Sequence, residues 1–73
     1  NFGSIDDAPL ERQLELLLGS MEDLRKDIEE AEGQLYMFSD KRDEESKRFA
    51  SRLMVMRRKL EAKEIIYNNL NQA

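Results

Sequence analysis

The sequence predicts an all-α protein built on a coiled-coil seam, and three observations carry that prediction. Apolar residues recur on a 3.5-residue period through most of the chain. The residues that punctuate turns are scarce, with three Gly and one Pro in 73 positions. Charged residues make up 38% of the chain, against about a quarter in ordinary domains, as wide solvated helix faces require. The expected architecture is a long, mostly continuous helix forming a two-stranded coiled coil, with antiparallel chains favoured over parallel. A helical hairpin is the alternative.

The first element in chain order is a head, residues 1–7, expected to be disordered. Its Gly3-Ser4 resembles a cloning remnant, and the missing initiator Met suggests a piece of a larger protein. A helix is expected over 8–70. Asp7 can cap its first free N–H groups, and Pro9 is tolerated in a first turn. From there Leu10, Leu14, Leu17, Met21, Leu24, Ile28, Ala31, Leu35 and Phe38 follow one another four and three apart. With Leu10 at heptad position d, Leu14, Met21, Ile28 and Leu35 fall at a.

Ser39 to Arg48 holds no apolar residue. The seam resumes with Phe49, Leu53, Met56, Leu60, Lys63, Tyr67 and Leu70. Phe38 and Phe49 are both d positions, yet eleven residues separate them. On a continuous helix that step is a stutter, expected at 39–48, which locally unwinds the supercoil. The stretch has no Gly or Pro, and its Lys, Arg and Glu favour helix, which argues against a turn. Ser39 or Asp40 could cap a second helix if the chain does turn. Tyr36 and Met37 lie off the seam and are expected to form a packing knot beside the stutter. A tail at 71–73 is expected to fray.

Charge decides the orientation. The formal net charge is −4, but residues 1–45 carry fourteen acidic and five basic side chains, or −9, while 46–73 carry two acidic and seven basic, or +5. In a parallel pair Asp27 would face Glu32 and Arg52 would face Arg57, both like-charged. An antiparallel pair centred on Arg42, with partner numbers summing to 84, sets Leu14 against Leu70, Leu24 against Leu60, Ile28 against Met56 and Leu35 against Phe49. It also brings Arg25 to Glu64, Glu32 to Arg57 and Asp27 to Lys59. Each exposed pair contributes only about 0–1 kcal/mol. Their effect is selective, because like charges penalise the competing orientation.

The composition excludes several functions. No Cys and no His leaves no disulfide, no thiolate or imidazole metal site, and no nucleophile–base pair. Carboxylate pairs such as Glu29-Glu30 and Asp43-Glu44-Glu45 read as solvated helix faces, since acid–base work needs them converging in a cleft. No Gly-rich phosphate loop or calcium-loop spacing is present. No catalytic residue, metal or cofactor is expected. The basic residues Arg52, Arg57, Arg58 and Lys59 spread around the helix without aromatic stacking partners, so nucleic acid is not the expected partner. No apolar run approaches the roughly 20 residues of a membrane span, and a membrane is not an expected partner either. Zero Cys and the lack of a signal peptide suggest the cytoplasm.

The expected function is therefore structural. A 73-residue chain without disulfides buries only about 60% of its unfolded surface, so a second helix is needed to complete its core. The chain is read as a homodimerisation module that joins and orients two copies of a scaffolding, cytoskeletal or trafficking protein. Its partner is itself, with another protein helix as an alternative. The dimer interface is the a/d set named above, and Arg25, Asp27, Glu32, Arg57, Lys59 and Glu64 set the orientation. The alternative function is partner binding, through a helical hairpin or through the basic amphipathic segment 49–67, which could enter a calmodulin-like groove or lie on an anionic membrane.

Overall fold

A computed structural model describes residues 2–38 and 43–72, with side chains from Pro9 onward. It contains two helices, α1 (Phe2–Tyr36) and α2 (Glu44–Gln72), packed side by side. Contacts between Arg25 and Glu64, Glu32 and Arg57, and Phe38 and Phe49 fix the packing as antiparallel. The molecule is a helical hairpin, 61 × 16 × 13 Å across its Cα atoms. In place of one continuous helix, the single chain takes the alternative architecture, the hairpin. Helix boundaries shift as well. Residues 2–7, expected as a disordered head, lie within α1, and 71 and 72 lie within α2 rather than in a frayed tail. Pro9 sits inside α1, where its missing N–H leaves the carbonyl of Ile5 without the usual i→i−4 donor.

The chain reverses without glycine. At the end of α1 the helix tightens: the Met37 N–H donates to the Gln34 carbonyl (3.0 Å) and the Phe38 N–H to the Leu35 carbonyl (3.2 Å). These i→i+3 bonds satisfy carbonyls that the helix end would otherwise orphan. On the far side Asp43 starts α2. Its Oδ1 accepts the Ser46 N–H at 2.7 Å, and its carbonyl accepts the Lys47 N–H at 3.1 Å. That is an N-cap, and Glu44 and Glu45 behind it place two negative charges in the first turn, where the helix dipole favours them. The cap is Asp43. Ser39 and Asp40, the expected caps, and Arg42, the expected centre, lie outside the described residues.

The eleven-residue step between Phe38 and Phe49 is therefore a reversal and not a stutter within one helix. The two rings meet across the base of the hairpin, with centroids 5.7 Å apart and planes at 57°, a favoured tilted arrangement. Ser46 continues the register as an a residue and is 2% exposed. In the numbering of the seam, where partners sum to 84, its counterpart is Phe38.

The core is a single line of side chains. Met21, Ile28, Ala31 and Leu53 are buried, and Leu24, Leu35, Phe49, Met56 and Leu60 pack half-buried against the centre of the line. Leu10, Leu14, Leu17, Phe38, Lys63, Tyr67 and Leu70 are also half-buried. Two helices cover each other along one stripe only, so most seam residues keep an edge to solvent.

Candidate interaction surface

The seam has two edges, and they differ. Position e of each helix flanks one edge, and position g flanks the other. On the e edge Arg57 donates to Glu32 (Nη2 to Oε2, 2.6 Å), and Arg25 donates to Glu64 at 3.3 Å. All four side chains are about half exposed. Helical side chains lean toward their own N-terminus. In antiparallel helices an e residue therefore meets one several positions away in level, and both pairs accordingly sum to 89. These ion pairs, read from the sequence as contacts between two chains, close within one chain.

The g edge is open. Asp27 and Lys59, the third expected pair, form no ion pair, and among the described residues none crosses this edge. Two adjoining grooves run along it instead. One, of about 490 Å³, has Ala31, Phe49 and Met56 from the seam in its floor and Glu30, Gln34 and Val55 on its banks. The other, of about 660 Å³, runs past Leu16, Ser20, Asp23 and Lys63. Asp27 and Lys59 line both. The banks have opposite sign: Asp23, Asp27 and Glu30 stand on α1, and Arg52, Lys59 and Lys63 stand on α2. The guanidinium carbon of Arg52 lies 5.3 Å from the centre of the Phe49 ring, a cation–π contact that keeps the head group at the groove rim.

Exposed apolar residues lie on this side, with Leu16 and Val55 lining the grooves and Ile66 at position g, and also on the other faces, where Leu18, Met54 and Ile65 stand at e, b and f. Leu16, Leu18, Met54, Val55, Ile65 and Ile66 are all exposed. Tyr36 and Met37, expected as a packing knot, are 88% and 84% exposed where α1 ends. In the basic segment 49–67, Phe49 and Met56 pack against the buried core, while Met54, Ile65 and Ile66 stay exposed.

Sequence reasoning missed Asp43, Ser46 and the g-edge grooves. For Asp43 a signal existed in Asp43-Glu44-Glu45, an acid capping position followed by acids in the first turn. The grooves left none, since they depend on which residues fail to meet. Among the described residues no three carboxylates cluster to hold a metal ion, and no helix is long and apolar enough to cross a membrane. The arrangement offers grooves, charge and apolar surface, the means of holding another polypeptide. Compared with protein-family models, characterised proteins and solved structures, the chain matches none.

Proposed function

We propose that this chain is a non-enzymatic self-association module whose helices join copies of a larger scaffolding, cytoskeletal or trafficking protein. The observation that carries the reading is surplus surface. A compact monomer of 8.6 kDa would expose about 4,700 Å². The hairpin exposes 6046 Å². The difference, roughly 1,300 Å², exceeds the ~800 Å² that each partner contributes to a standard interface. Part of it is apolar, and Leu16 alone is 68% exposed. Such a surface is characteristic of an interaction site.

Sedimentation equilibrium from about 1 to 100 μM, a range chosen around a micromolar dissociation constant, tests the reading. The expected result is a mass of two chains or more at the upper end. A single-chain mass throughout overturns it.

An antiparallel coiled-coil dimer of continuous helices is the second reading. It is supported by the symmetry of the seam about residue 42: the layers sum to 84 whether the two halves belong to one chain or to two. Solution scattering separates the forms. Hairpins stacked in register keep a long axis near the 61 Å of one hairpin, whereas paired continuous helices extend to roughly 90 Å.

A further inference from the structure

We infer that two hairpins of this chain pair face to face across their g edges, each α1 lying antiparallel over the α2 of the other, with both turns at the same end. This rests on the self-association proposed above and specifies the surface and the orientation that produce it.

The e edge is closed by its own ion pairs, Arg25–Glu64 and Glu32–Arg57. The g edge has unpaired charge in two parallel banks, acidic on α1 and basic on α2, on either side of a groove floored by Ala31 and Met56. A ligand of one sign would match one bank and be repelled by the other. A second copy carries both banks, at the same spacing.

Two twofold arrangements can bring the faces together. A twofold axis across the hairpin sets α1 on α1 and α2 on α2, acid against acid and base against base. A twofold axis along the hairpin sets α1 on α2 and leaves every residue at its own height. Asp27 then stands level with Lys59 of the second copy, and Leu16 with Ile66 of the second copy. Val55 of the second copy arrives at the level of Glu30 and Ala31, where the small Ala31 side chain lines the groove. Charge thus selects the second arrangement by penalising the first, and each helix ends with antiparallel neighbours on two sides, as in a four-helix bundle.

The absence of native cysteine supplies the test. A Ser20→Cys chain is mixed with an Ile66→Cys chain and oxidised. In parallel, a Leu14→Cys chain is mixed with a Leu70→Cys chain. The stacked pair predicts a disulfide between the two chains of the first mixture and essentially none in the second, whose positions lie within separate seams. Efficient linkage in the second mixture identifies paired continuous helices and overturns the stacked arrangement while leaving self-association intact. No linkage in the first mixture, with the wild-type chain dimeric, overturns the stacked arrangement alone. A wild-type chain that is monomeric by sedimentation overturns both. A charge test reads the same surface: Asp27→Lys with Glu30→Lys should weaken dimerisation by at least about tenfold. Mixing that chain with an Arg52→Glu, Lys59→Glu chain should restore association. Unchanged affinity in the first variant, with helicity retained, overturns the assignment.

Discussion

Leu53 is the residue on which the hairpin depends most, and Leu53→Ala measures how much. It is 2% exposed, the most buried hydrophobic side chain described, and it shares its cluster with Ile28 and Ala31. Leu24, Leu35, Phe49, Met56 and Leu60 surround that cluster. Leu→Ala in a fully enclosed core costs about 2–5 kcal/mol, more where the site cannot collapse around the vacancy. Here the neighbours are mostly half-buried and the walls are two helices only, so collapse is easy. The expected cost is at the lower end, about 2–3 kcal/mol. A stable chain of this length has roughly 4–11 kcal/mol in total, so the substitution removes about a fifth of that or more. At about 4–8 °C per kcal/mol for a small domain, the melting temperature should fall by roughly 10–20 °C. Thermal and urea unfolding followed by circular dichroism supply the measurement. Leu16→Ala is the control: Leu16 is 68% exposed, and its truncation should stay within about 0.5 kcal/mol at a concentration where the chain is monomeric. Leu53→Ala within that same margin, or equal costs at the two positions, would refute the assignment of the core.

Three further perturbations test the elements around that core. Gly19→Ala and Gly33→Ala should each stabilise the chain by about 0.5–1 kcal/mol, because neither Gly has a positive φ and nothing lies within 4 Å of an added Cβ; a fall in melting temperature would contradict this. Asp43→Ala should cost about 1 kcal/mol by removing the acceptor of the Ser46 N–H, and hydrogen exchange should quicken first in the opening turn of α2. A double-mutant cycle on Glu32 and Arg57 should return a coupling of about 0.2–1 kcal/mol that shrinks as salt is added, since both groups are half exposed. A coupling of zero at low salt would remove the pair from the forces that set register.

The seam was legible in the sequence; the antiparallel sense was read for two chains and is seen between the two helices of one. Positions from Leu10 to Leu70 are buried or half-buried at the heptad spacing, and two of the three expected ion pairs are present. The number of chains was not legible. Complementarity between residues 10–38 and 49–70 is the same whether one chain supplies both halves or two do. What decides is the ease of meeting. A short connection holds the halves at an effective concentration in the millimolar range, so folding back precedes association at lower concentrations. The turn stood only as the alternative for a related reason. Lys41, Arg42, Glu44 and Glu45 are good helix formers, and individual propensities among such residues differ by less than about 1 kcal/mol. Packing along a whole seam outweighs them. Ser46 is the clearest case: read as part of a polar interval, it is instead one of the most buried residues, because the register resumes at Ser46 itself, three residues before Phe49 and three after the cap.

The closure of the seam within one chain also fixes how it yields to force. The open ends of both helices lie at one pole, with Leu14 level with Leu70, and the turn lies at the other. Tension applied at those two ends does not load the layers together. It concentrates on the outermost layer, parts it, and moves to the next, so the hairpin unzips step by step toward the Phe38–Phe49 stack. The same apolar residues pulled from opposite poles would be loaded in shear, with every layer resisting at once. Identical chemistry would then behave as a soft fastener in the first geometry and as a stiff strut in the second.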